Sequence, residues 1–168
     1  MIRLIKIFCL LIISSSVYSQ EAADYLLRGK AMIDAGKFYD AVTLLSEAIN
    51  KQADARYFEM RGEAYFRNKA IPESMSDFQK ANSLTEGIGE YGIAKVYAVQ
   101  GNASEALAHL ELNIASPFRK SEKEILLDPV FSLLDRTPEW RQFWKKDRYP
   151  VSEMKIAEIE YYISTRWE

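Results

Sequence analysis

One local formula occurs three times in this chain, and it constrains the fold more than any other feature. A small residue at Gly29, Gly62 and Ala94 is followed three residues on by a large one, Met32, Tyr65 and Tyr97. A turn position comes next, at Gly36, Lys69 and Gly101. The second half of each unit then reads Ala41, Leu45 and Ala48; Ser74, Phe78 and Ala81; Ala106, Leu110 and Asn113. Gly29 and Gly62 lie 33 residues apart, Gly62 and Ala94 lie 32 apart. A period in the thirties belongs to arrays of supersecondary units that bury their apolar faces by stacking on one another.

Within a unit the apolar residues recur at helical spacing: Leu27, Ala31, Ile33 and Ala35 in the first run, then Ala41, Leu44, Leu45 and Ala48. Each unit therefore predicts two amphipathic helices, A and B. Gly36 and Gly101 supply the left-handed turn that ends helix A. Lys69 departs from glycine there, which predicts a turn adapted with the neighbouring Asn68. Pro72 stands where a helix B begins, a place that suits a residue lacking an amide hydrogen. The small residues permit a close helix crossing, and the large ones fill the space left over. Three pairs are about what an independent core of this kind needs.

The pattern resembles the tetratricopeptide repeat (TPR), whose unit is about 34 residues long. Met32, Lys69, Ser74, Glu90 and Asn113 depart from its usual residues. The resemblance implies an all-α protein, a right-handed superhelical stack of about three helix-turn-helix units with short C-terminal helices. It further implies that helix A of each unit lines a concave face holding an extended peptide or a partner's helix. Carried over by position, the lining residues are Leu26, Lys30, Ile33, Arg56, Glu59, Glu63, Arg67, Tyr91 and Lys95. One TPR subfamily clamps a C-terminal carboxylate with Lys and Asn side chains. Leu26, Lys30 and Met60 fill those places here, and neither Leu26 nor Met60 can donate to a carboxylate.

Residues 1–19 read as a signal peptide. Arg3 and Lys6 precede the apolar run Ile7 to Ile13, and the small Val17 and Ser19 favour cleavage before Gln20. The run is far shorter than the roughly 20 residues that span a bilayer. The expected location is therefore outside the cytoplasm, in the periplasm or secreted, as for an exported bacterial TPR protein. Removing Arg3 and Lys6 takes the net charge from −2 to −4, which argues against a dedicated nucleic-acid binder. The single cysteine, Cys9, lies in the leader, so the remaining chain has no thiolate for a disulfide or a metal.

Residues 20–116 are expected to hold the three units, 22–54, 55–86 and 87–116. Residues 117–168 are expected to form a helical cap, with the start of a further repeat as a second reading. Ser121 to Leu127 reads as a capped helix. Asp128-Pro129 and Thr137-Pro138 each pair an N-cap residue with a proline at the first helical position. They predict short helices from Pro129 to Leu134 and from Pro138 to Lys146. Trp140, Phe143 and Trp144 share a face, read as a cover for the exposed end of the third unit. A longer helix with an unpartnered apolar face is expected from Ser152 onward.

No phosphate-binding loop, dinucleotide fingerprint or nucleophile elbow is present. His109, the sole histidine, sits beside Leu110 as a surface or boundary residue, and pairs such as Glu122 and Glu124 are ordinary on solvated helices. The expectation is a non-enzymatic protein–protein interaction scaffold of the bacterial cell envelope, with no catalytic residue, cofactor or metal. Its partner is a protein or peptide; neither nucleic acid nor stable membrane insertion is expected. The alternative is a structural segment of a larger envelope assembly or of a longer repeat protein, and an envelope hydrolase ranks below both.

Overall fold

Three turns of one kind set the frame. At Gly36, Lys69 and Gly101 the backbone is left-handed, with φ of 73°, 63° and 75°. In each, the left-handed residue's N–H donates to the carbonyl three residues back, on Ile33, Phe66 and Ala98, at 3.0 Å. The next N–H reaches the carbonyl five back, on Met32, Tyr65 and Tyr97, at 2.8, 2.9 and 3.0 Å. These paired bonds satisfy carbonyls that a helix end otherwise leaves open. The second turn is thus not adapted through Asn68. Lys69 adopts the glycine conformation itself, against the steric cost of its Cβ.

The computed structural model describes residues 24–146 with 148 and 149. The signal peptide and the helix expected from Ser152 lie outside the described residues. The helices are α1 (24–34), α2 (Phe38–Lys51), α3 (Ala55–Arg67), α4 (Ile71–Leu84), α5 (Glu90–Val99) and α6 (Ala103–Ala115). After them come α7 (Glu122–Leu127), a 3-10 turn (Phe131–Leu134) and α8 (Pro138–Phe143). Among the described residues there is no strand. The protein is all-α.

Pairing within a hairpin rests on a small residue against a large one sixteen positions later. A Cβ on Gly29 would lie 2.9 Å from Leu45 Cδ2, and one on Gly62 would lie 2.8 Å from Phe78 Cε1. Ala94 and Leu110, the third such pair, share one buried cluster. Ser74 is tolerated at an alanine position because its buried hydroxyl donates to the Gly62 carbonyl at 2.9 Å.

Hairpins then pack on one another in series. The same face of helix A carries residues 27, 60 and 92 and residues 31, 64 and 96. Leu27 is 70% exposed and Ala31 is exposed, whereas Gly92, Ala64 and Val96 are buried. Ala64 of the second hairpin packs on Ile33 and Ala41 of the first, and Val96 of the third packs on Phe78 of the second. α1 has no described hairpin ahead of it, so the expectation that Leu27 and Ala31 face the core fails in the first unit alone. A partly buried bidentate ion pair adds to the joint. Arg61 donates from Nε to Asp77 Oδ2 at 2.7 Å and from Nη2 to Oδ1 at 2.8 Å. Its Nη1 reaches Ser46 Oγ at 2.9 Å, so one guanidinium links α3 to α4 and to α2.

Asn113 replaces the last alanine of the third unit and fastens the segment that leads into the cap. Its Oδ1 accepts from the Lys120 N–H at 2.9 Å and its Nδ2 donates to the Phe118 carbonyl at 3.2 Å. Ser121 and Glu124 then form a reciprocal capping box that starts α7. Phe131, Leu134, Trp140 and Phe143 are buried with Ala94, Ala98, Leu107 and Leu110. The aromatic stripe covers the end of the third hairpin, as expected from sequence. Two predicted lengths are revised. The segment after Asp128 forms only a 3-10 turn, and α8 stops at Phe143, whose carbonyl accepts from Arg148.

Replacing Lys69 by Gly should stabilise the protein by about 1 kcal/mol in urea unfolding, because it relieves a left-handed Cβ at the cost of some unfolded-state entropy. Gly29→Leu should destabilise it by roughly 1–3 kcal/mol by forcing Leu45 out of place. An unchanged unfolding midpoint for Gly29→Leu would show that the register of the first hairpin is wrong.

Candidate functional site

Repeat register places two rows of side chains along the helix A faces. One row is Leu26, Glu59 and Tyr91, and the other, one turn later, is Lys30, Glu63 and Lys95. In the second row α3 and α5 join directly, Lys95 Nζ donating to Glu63 Oε2 at 2.5 Å. Lys95 is only 7% exposed. Its ammonium also lies 4.8 Å from the Phe66 ring centre and 5.7 Å from that of Tyr91. One carboxylate and two π faces thus surround this buried ammonium.

Between α3, α5 and the cap lies an open cavity of about 450 Å³. Glu63, Phe66 and Arg67 line it from α3, and Tyr91 and Lys95 from α5. The far side is Lys120, Glu124, Leu127 and the Asp128-Pro129-Val130 segment. Asp128 fixes that side in two directions. Its Oδ1 accepts from the Val130 N–H at 3.0 Å, and its Oδ2 accepts from the Tyr91 hydroxyl at 2.8 Å. Burial and that hydrogen bond hold the Tyr91 hydroxyl well above the usual phenol range, so it remains a neutral donor. Lys120 Nζ stands 5.5 Å from the Tyr91 ring centre and 3.6 Å from Glu124 Oε1.

Glu59, one turn before Glu63, has a different environment. Its carboxyl is pushed up to about 7, first by burial and then by the charge of Glu63; Lys120 and Lys95 act the other way. Among the described residues Glu59 accepts no hydrogen bond and forms no ion pair.

Four of the nine sequence-predicted lining residues, Glu63, Arg67, Tyr91 and Lys95, meet at this cavity, and Glu59 adjoins it through Glu63. The other four sit elsewhere. Ile33 is 5% exposed and packs with Ala41 and Ala64, so it is a core residue with no surface to offer. Leu26 is half-buried against Leu45, Ala48 and Tyr57. Lys30 is exposed and pairs with Asp34 on its own helix at 2.6 Å. Arg56 grips Asp54 at the start of α3, Nη2 to Oδ2 at 3.0 Å. Arg67 remains at the cavity rim, 5.6 Å over the Phe38 ring.

Phe66 and the whole cap side of the cavity are not anticipated by the repeat. Its pattern ends before residue 117, so nothing in it says that Lys120 and Asp128 fold back beside α5. A second concavity, of about 490 Å³, lies between Glu86, Gly87 and Glu90 and the end of α6. There Glu90 is already engaged, by Asn82 Nδ2 and by His109 Nδ1, each at 2.5 Å. His109 is half-buried and stacks on Tyr97 at 5.3 Å. No group of three potential metal ligands converges among the described residues, and no described helix is long and apolar enough to cross a membrane.

No family model matches the chain, and no curated protein matches it.

A carboxyl titrating higher in the folded chain than in the unfolded one binds its proton more tightly when folded. Its contribution is therefore full below the unfolded value of about 4.5 and is lost as pH rises through about 7. Urea unfolding between pH 4.5 and 8 should show wild type losing stability relative to Glu59→Gln, by at most about 1.4 kcal/mol per pH unit. Parallel profiles for the two proteins would place Glu59 in ordinary solvent.

Proposed function

We propose that this chain is a non-enzymatic interaction scaffold of TPR type, exported to the bacterial cell envelope, that holds a peptide or an exposed segment of a partner protein. The binding surface is the cavity between α3, α5 and the cap. Its composition carries the reading. Aromatic faces (Phe66, Tyr91), fixed charges of both signs and an apolar rim at Leu127 converge on an open concavity large enough for one or two side chains. The cavity is built on helices held by buried contacts, so it is formed before a ligand arrives and little ordering opposes binding.

The TPR assignment rests on the repeated turn, the small-to-large pairing sixteen residues apart and the contact of α3 with α5. A right-handed superhelical course is part of this proposal. Export rests on the leader-like sequence of residues 1–19.

One observation favours the alternative, a structural segment of a larger assembly. Leu127, Leu133 and Leu126 are 69%, 61% and 50% exposed on the cap. Obligate association of the purified chain in sedimentation would support that reading, and a monomer would support the scaffold.

A photo-crosslinking side chain installed at Arg67, on the cavity rim, should trap discrete adducts from envelope extract. The same group at Tyr39, exposed on α2, should not. Equal trapping at both positions, or none at position 67, would remove the cavity from consideration.

A further inference from the structure

The charges of the cavity answer one another. Its lining acids, Glu63, Glu124 and Asp128, equal its lining bases, Arg67, Lys95 and Lys120, in number. Glu63 accepts from Lys95, and Glu124 stands 3.6 Å from Lys120. The same two ammonium groups lie against the faces of Phe66 and Tyr91. Asp128 accepts from the Tyr91 hydroxyl and the Val130 amide, and Arg67 lies over Phe38 of the first hairpin.

The backbone of the cap wall is engaged as well. The Asp128 carbonyl accepts from the Phe131 N–H at 3.1 Å and the Val130 carbonyl from the Leu133 N–H at 3.4 Å. The Pro129 carbonyl accepts from the Ser132 hydroxyl at 2.6 Å, and Pro129 has no amide hydrogen to offer. What this wall leaves open is hydrocarbon. Leu127 is 69% exposed, Pro129 is exposed and Val130 is half-buried. A solitary exposed leucine is ordinary on a protein surface. Leu127 instead lines a concavity together with two further apolar residues.

We infer that the cavity takes an uncharged, large apolar side chain of the bound segment, a leucine, isoleucine, methionine or phenylalanine, seated against Leu127, Pro129 and Val130. This rests on the scaffold reading and names the partner's chemistry. Charge balance selects the occupant. An entering carboxylate would meet three acids while Lys95 and Lys120 are already paired. An entering ammonium would meet three bases and no lining carboxylate without a partner. Either would exchange its hydration for imperfect pairing. A hydrocarbon side chain has no charge to desolvate, and it removes Leu127 from water.

The test is selection of a random dodecapeptide library on the immobilised full-length protein. Enriched sequences should carry a large apolar residue at one fixed position and no fixed charge. Affinity for an enriched peptide should change less than about twofold between low and high salt, and calorimetry should show a negative heat-capacity change on binding. Leu127→Ala, with its helicity checked by circular dichroism, should weaken binding about tenfold. Leu127→Met should restore most of the loss. Leu112→Ala, at a leucine 53% exposed in the second concavity, should leave binding unchanged. Enriched sequences with a fixed charge and no fixed apolar residue would overturn this inference and leave the scaffold reading standing. Loss of binding in Leu112→Ala but not in Leu127→Ala would overturn both. A library that yields no enriched sequence would also overturn both, and dimerisation abolished by Leu127→Ala would then assign the wall to a second copy of the chain.

Discussion

Everything in this molecule depends on pairs of helices coming closer than ordinary side chains allow. Gly29, Gly62 and Ala94 have little or nothing at Cβ, and Leu45, Phe78 and Leu110 fill the space that results. The arrangement joins two demands in one contact. Close approach sets the hairpin geometry, and the large partner supplies apolar area that is almost wholly removed from water. The three turns close with the same hydrogen bonds, so the hairpins share one turn geometry and pack on one another in series.

Much of this is legible in the residues themselves. The spacing of small and large residues marks the hairpins, Gly36 and Gly101 the turns, Pro72 the start of α4, and Ser121 and Thr137 the caps of α7 and α8. Short-range chemistry decides all of these, so one sequence is enough to read them. Lys69 is harder, because a lysine there suggests a turn that bends to suit its residue. The two hairpins on either side fix the geometry instead, and the side chain complies. Leu27 and Ala31 mislead for the opposite reason. Their burial depends on a neighbour that helical spacing does not mention.

The site is legible only in half. Register finds the α3 and α5 residues because repeat position fixes which direction a helix A side chain takes. It gives Ile33 the same standing as Glu63, yet Ile33 lies under the following hairpin. The cap side is invisible, because its placement depends on Asn113 and Asp128 making contacts that no period encodes. Asp128 is recognisable as a capping residue. Its second oxygen, the one that holds Tyr91, has no signal in the chain. Polar residues that serve two elements at once escape pattern reading, since each pattern accounts for only one of their bonds.

Asn113 carries a consequence for how such a chain can lengthen. Repeat arrays grow by copying a unit in tandem, and a copy survives only if its flank matches what it meets. A duplicate of the second unit would set Met60 where Gly92 now lets Phe78 approach, so that joint would have to repack. A duplicate of the third would bring a second Asn113 into the middle of the array, its amide now set against a helix instead of the Phe118–Lys120 segment that satisfies it here. One side chain thus ties the third unit to the segment that follows it, and a copy of that unit elsewhere would need its own partner for the amide.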